Sequence, residues 1–190
     1  MDNNGYLRAE RAASGREALR KAKPNKERIA IARTQMNELA PDYRITCNEE
    51  VNQGLTREQA IVEASRCLDC PEPLCITGCP VGINIPKFVK NIERGEILEA
   101  AKTLKETSAL PAVCGRVCPQ EKQCESKCFY LQKLHKEPVA IGYLERFAAD
   151  YDRESGQTSN ADPPQLHSIP SPITGYRPAG TSSPVWPNHA

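Results

Sequence analysis

Apolar residues recur at helical spacing through most of the first 150 positions, while the apolar–polar alternation of a half-buried strand is scarce. From Lys26 to Ala40 the residues Ile29, Ala32, Met36 and Leu39 keep that spacing between Pro24 and Pro41, which predicts a helix with one buried stripe. Thr56-Arg57-Glu58-Gln59 is a capping-box pattern, and the helix it opens runs through Ile61, Ala64 and Leu68 to deliver Cys67 and Cys70 at its end. Pro71, Pro73, Gly78, Pro80 and Gly82 then exclude a continuous helix from Cys70 to Asn84. Pro86 fits the first turn of a helix with Phe88, Val89 and Ile92, ending near Gly95, and Ile97, Ala101 and Leu104 share one face of another from Glu96 to Thr107. Pro138 opens a last amphipathic helix through Ile141, Leu144 and Phe147 to Asp150. The fold class expected is all-α.

The two ends break this pattern. Residues 1–24 are charged with little periodicity and are expected as an arm or a short helix. Residues 152–190 are rich in Ser, Pro, Thr, Asn and Gly, with seven of the sixteen prolines between 163 and 187, and predict a disordered tail. That leaves 25–151 as one compact helical domain. With 39% apolar and 5% aromatic residues in the whole chain, hydrophobic packing alone is a modest source of rigidity, and bound metal could supply the rest.

Eight of the nine cysteines fall in two blocks, Cys67-x2-Cys70-x4-Cys75-x3-Cys79-Pro80 and Cys114-x3-Cys118-Pro119-x4-Cys124-x3-Cys128. The first differs from the bacterial iron-sulfur run Cys-x2-Cys-x2-Cys-x3-Cys-Pro by two residues in its second gap, and thiolate is the soft ligand such clusters require. In two-cluster ferredoxins the cysteine before proline serves the other cluster. By that analogy Cys67, Cys70 and Cys75 hold one cluster while Cys79 crosses to a second, completed from the later block. Cys124 and Cys128, four apart, would share one face of a helical turn, serving one cluster or two neighbours. Two structural zinc sites are the alternative, although zinc ribbons usually pair two Cys-x2-Cys knuckles and this chain has one.

Charge adds little. The net charge of +1 gives no reason to expect nucleic acid. Residues 1–40 hold nine Lys and Arg against five Asp and Glu, read as a solvated helix face or a docking surface for an acidic partner. With no apolar run of about 20 residues, no membrane span is expected. The absence of a signal core and the odd cysteine count point to a reducing, cytoplasmic setting in which Cys47 is a plain thiol. His135, His167 and His189 are scattered, and Glu121, Glu125 and Glu145, although near cysteines, read from the sequence alone as solvated carboxylates. No phosphate-binding glycine motif is present, and no catalytic residue is assigned.

Arg66-Cys67-Leu68-Asp69-Cys70, Cys79-Pro80-Val81-Gly82-Ile83-Asn84-Ile85-Pro86, Cys114-Gly115-Arg116-Val117-Cys118-Pro119 and Cys124-Glu125-x-x-Cys128 resemble a known domain. It is the N-terminal iron-sulfur domain of the NADPH-dependent glutamate synthase small (beta) subunit, shared with the N-terminus of dihydropyrimidine dehydrogenase. The resemblance runs from about residue 28 to 151. It implies an alpha-helical ferredoxin-like domain wrapped around two [4Fe-4S] clusters that relay electrons between flavins. Carried over by position, it implies Cys67, Cys70, Cys75 and Cys128 for one cluster and Cys79, Cys118 and Cys124 for the other. The eighth ligand would be a side-chain oxygen from the segment like Ile141–Arg146, which makes Glu145 the candidate and leaves Cys114 as neighbour and alternative.

Relatives of that kind continue into FAD- and NADPH-binding domains. Here the corresponding position reads Ile173-Thr174-Gly175-Tyr176-Arg177-Pro178-Ala179-Gly180, without a strand and glycine-rich turn, so a truncated or frame-shifted small subunit is expected, not catalytic alone. The implied partner is the glutamate synthase large subunit, which makes glutamate from glutamine and 2-oxoglutarate, or another flavoprotein. Two alternatives stand beside this: an iron-sulfur subunit of another flavin or NAD(P)H oxidoreductase, and a non-redox interaction module stapled by metal.

Overall fold

Short helices joined by turns dominate, as the periodicity predicts. A computed structural model describes residues 3–13 and 15–156; the expected tail beyond Gly156, with His167 and His189, lies outside the described residues. In chain order come α1 (Asn3–Ala13), α2 (Arg16–Ala22), α3 (Asn25–Ala30), β1 (Asn37–Glu38), α4 (Pro41–Arg44) and β2 (Asn52–Gly54). They are followed by α5 (Arg57–Ser65), α6 (Leu74–Thr77), α7 (Ile85–Glu93), α8 (Ile97–Lys105), α9 (Pro111–Val117), α10 (Phe129–Leu134) and α11 (Ile141–Glu154). β1 and β2 pair antiparallel, and two 3-10 turns, Gln120–Lys122 and Glu125–Lys127, separate α9 from α10.

The core lies where α5, α7, α8 and α11 meet. Ala60 and Ala64 of α5, Phe88, Val89 and Ile92 of α7, Leu104 of α8 and Leu144 and Ala148 of α11 are fully buried. Each large apolar side chain so buried contributes about 1.5–3 kcal/mol. The capping box forms as expected: Thr56 accepts from the Gln59 backbone N–H at 3.2 Å, and the Gln59 side chain accepts from the Thr56 N–H at 2.8 Å. α9 crosses α11 at Gly115. A Cβ there would lie 2.6 Å from the Arg146 nitrogen, so only glycine lets the two backbones approach this closely.

Buried charges tie the loops to this core. Glu63 of α5 pairs with Arg66 at 2.6 Å and accepts from the backbone N–H groups of Thr34 (2.7 Å) and Ala140 (2.8 Å). Arg66 donates to the carbonyls of Ile31, Glu137 and Pro138, and its guanidinium stands 4.9 Å over the Tyr130 ring. Arg28 pairs with Glu93 at 2.8 Å and donates to the carbonyls of Leu19 and Lys23. Removing one partner of such a buried pair costs about 3–5 kcal/mol, because the other is left charged and unpaired.

Several expectations are corrected. The helix from Lys26 to Ala40 stops at Ala30, because the Thr34 N–H and the Ile31 carbonyl are taken up by Glu63 and Arg66 and the chain runs on extended. The last helix begins at Ile141, after a turn at Val139–Ile141 and with the Pro138 carbonyl and Ala140 N–H bonded to Arg66 and Glu63, and it continues to Glu154. Asp152 in that extra turn pairs with Lys105 of α8 at 2.5 Å. Cys124 and Cys128 flank a 3-10 turn and do not share an α-helical face. Glu125 is buried rather than solvated, pairing with Arg33 at 2.9 Å and accepting the Gly142 N–H at 3.3 Å. Residues 3–22 are mostly helical, one of the two forms expected; Lys21 stays on a solvated face, whereas Arg11, Arg16 and Arg20 turn inward to Asp69.

Candidate metal centre

α5 releases the chain at Ser65, and Cys67 and Cys70 follow in a loop held by the Arg66 contacts. The single turn α6 carries Cys75, and the 3-10 turn Glu125–Lys127 ends at Cys128. These four cysteines line one cavity of about 60 Å³, several times the roughly 10–15 Å³ that one water needs. Leu68, Ile85, Pro86, Val89, Tyr130, Val139 and Ile141 line much of the remaining wall.

The thiols act on one another. Burial pushes Cys70 up to about 12, with the charges of Cys67 and Cys128 adding to it. Burial also raises Cys75 well above the usual thiol range, and Cys67, Cys128 and Cys70 raise it further. Cys67 is raised by burial against the opposing charge of Lys90 and hydrogen bonding from the Asp69 backbone. Cys128 is raised by burial and held back by hydrogen bonding from the backbone of Val139 and Tyr130. Lys90 is itself fully buried, donating to the Cys67 carbonyl at 2.5 Å and pairing with Glu93 at 2.6 Å.

A second group forms where the cysteine blocks meet. Gly78 lets them touch: a Cβ there would lie 2.7 Å from the Gln123 carbonyl oxygen and 3.0 Å from the Cys124 Cα. Cys124 is pushed up to about 12 by burial, with Glu125, Cys79 and Glu145 adding to the shift. Cys118 is raised by burial, then by the charge and hydrogen bonding of Cys114, then by Glu145 and Cys79. The Glu145 carboxyl is raised to about 7 by burial, and its buried Oε1 has no hydrogen-bond partner. Cys114 accepts from the Ser108 hydroxyl at 3.9 Å.

The residues present fit iron-sulfur clusters. All nine cysteines are free. Cys67, Cys70, Cys75 and Cys128 all line the same cavity, whose remaining wall is largely apolar. Polynuclear clusters take thiolates on separate irons, and a bound metal would draw off the protons that burial favours. The other flagged residues are elsewhere: Cys47 is half-buried, and His135 is exposed in a left-handed turn. Sequence reading passed over Lys90 and Asp69. The signal for Lys90 was a cation within the apolar run Phe88–Ile92, and for Asp69 a carboxylate between two ligand cysteines.

Comparison with known proteins bears on the same residues. The family model described as dihydropyrimidine dehydrogenase domain II, 4Fe-4S cluster, matches residues 44–157. The chain belongs to this family. The glutamate synthase [NADPH] small chain of Escherichia coli (strain K12) is 37% identical over 131 residues, covering 69% of this chain and 27% of the relative. The NAD-dependent dihydropyrimidine dehydrogenase subunit PreT of the same strain is 40% identical over 108 residues, covering 57% and 26%. The "Putative oxidoreductase UacF" of that strain is 33% identical over 189 residues, covering 95% of this chain and 29% of its own. The chain thus spans less than a third of the length of these curated relatives. It is a domain of the iron-sulfur type, mostly helical, and among its described residues no helix is long and apolar enough to cross a membrane.

Proposed function

We propose that this domain carries single electrons through two [4Fe-4S] clusters within a flavin-linked oxidoreductase of the glutamate synthase small-subunit kind. The observation that carries the reading is the gathering of Cys67, Cys70, Cys75 and Cys128, from positions up to 61 residues apart, around one largely apolar cavity. These four would hold one cluster. Cys79, Cys118, Cys124 and Glu145 would hold the other, with the buried, unpartnered Glu145 Oε1 as the oxygen ligand and Cys114, beside Cys118, as the alternative. When bound, such clusters supply reversible one-electron chemistry at potentials set by charge, hydrogen bonding and burial. Lys90 and Arg66 place buried cations beside Cys67 and Cys128, offsetting the negative charge of a thiolate-ligated centre. The apolar wall excludes water, and backbone donors from Asp69, Tyr130 and Val139 orient toward sulfur.

The domain reading assigns 1–24 to a charged arm, 25–151 to the cluster domain and 152–190 to a Pro/Ser-rich tail. The alignment with UacF leaves 5% of this chain outside it, so most of 152–190 aligns with a relative; this speaks against a frame shift there. The same alignment favours a second reading in which the partner is a flavoprotein oxidoreductase other than glutamate synthase. NADPH and FAD are assigned to no residue of this chain. Anaerobic titration with a low-potential reductant, followed by absorbance and electron paramagnetic resonance, tests the electron-carrying role. The expected result is uptake of about two electrons per chain with two distinguishable signals. A chain that takes up none would contradict it.

A further inference from the structure

We infer that α1 and α2 form a clamp on the loop carrying Cys67 and Cys70, with Asp69 as its anchor and Arg11, Arg16 and Arg20 as positioning residues. Its meaning for a cluster rests on the function proposed above. Asp69 lies between the two cysteines, is fully buried, and holds φ at +51°, a left-handed conformation that side chains other than Asn and Asp rarely adopt. Its carboxylate is met by three guanidinium groups from the N-terminal helices. Arg20 Nη1 contacts Oδ2, Arg16 Nη1 is 3.3 Å from Oδ1, and Arg11 Nε is 3.4 Å from Oδ2 while donating to the Asp69 carbonyl at 2.8 Å.

An unpaired carboxylate at this place would be unfavourable twice over. It is fully out of water, and it stands in sequence between two cysteines, so its negative charge would add to theirs wherever they ligate as thiolates. Exposed ion pairs contribute little, but Asp69 and Arg16 are almost wholly enclosed, and Glu10 pairs with Arg16 at 2.6 Å; the contact of Arg16 with Asp69 is an ion pair without a hydrogen bond. Cys70 also borders an open groove flanked by Arg11 and Arg20, so release of the arm would open that thiolate to solvent. The three arginines of the clamp lie outside residues 44–157, the segment matched by the family model, while their anchor Asp69 lies inside it.

The test compares the intact chain with Arg20→Gln, Arg20→Lys and Asp69→Asn, each anaerobically reconstituted. Alkylation of each cysteine is followed by mass spectrometry during exposure to an iron chelator, and cleavage within residues 3–22 is followed with subtilisin. Arg20→Gln is expected to speed alkylation of Cys67, Cys70, Cys75 and Cys128 about tenfold, the effect of losing one charge-assisted contact. Cys79, Cys118 and Cys124 should keep the parental rate, cleavage of the arm should accelerate, and Arg20→Lys should restore both. Unchanged rates, equal acceleration in both cysteine groups, or a loosened arm without faster alkylation would each overturn the clamp. Asp69→Asn should give the stronger effect; should it fail to fold, Arg20→Gln decides alone. If the parent protein holds no acid-labile sulfide, the cluster reading fails, and the same comparisons without chelator still judge the clamp.

Discussion

Cys70→Ala is expected to remove one cluster and leave the other, so that iron and sulfide fall by about half while the remaining signal keeps its shape. The reason is the separation of the two thiol groups. Cys70 shares a cavity with Cys67, Cys75 and Cys128, whereas Cys79, Cys118 and Cys124 sit with Glu145. Stability should fall as well. Ligands from α6 and from the turn before α10 close over the loop after α5, so loss of the metal removes a link between segments about 60 residues apart, and ligand binding is coupled to folding. Iron and sulfide analysis beside thermal unfolding checks both effects. Loss of both clusters from Cys70→Ala would show that the groups are not independent.

Glu145→Ala should change sign with the metal. In the metal-free chain the buried carboxyl has an oxygen with no partner, and its removal should cost nothing or relieve about 1–3 kcal/mol of desolvation. In the loaded chain the same substitution would remove the proposed eighth ligand, and the second cluster should be lost or should shift in potential, with the first unaffected. Cys114→Ala should leave both signals in place. Chemical unfolding of the metal-free and loaded forms, with redox titration of the latter, separates these outcomes. An unaltered titration of Glu145→Ala, together with loss of a cluster in Cys114→Ala, would move the eighth ligand to Cys114.

Helices with local signals were legible in the chain. The capping box at Thr56 and Gln59, Pro86 in the first turn of α7 and the apolar stripe of α8 each depend on neighbours within a turn or two. Where distant partners decide, the pattern misleads. Ile29, Ala32, Met36 and Leu39 keep helical spacing, yet the segment leaves the helix at Ala30 because buried Glu63 and Arg66, roughly 30 residues later, claim its backbone groups. In the basic run Lys21 and Lys26 are exposed as the sequence suggests, but Arg20 departs from that surface for the same reason, since its partner, Asp69, lies 49 residues away. The cysteine spacing was informative about chemistry because ligand identity is written in the side chains. How the two blocks interleave depends on close approaches at Gly78 and Gly115, which only the folded backbone reveals.

The central claim is that the two cysteine blocks build two [4Fe-4S] clusters, and the most direct measurement is iron, zinc and acid-labile sulfide in the full chain purified without oxygen. The account predicts a brown protein with about eight iron and eight sulfide per chain and no stoichiometric zinc. A colourless protein with zinc and no sulfide would contradict it.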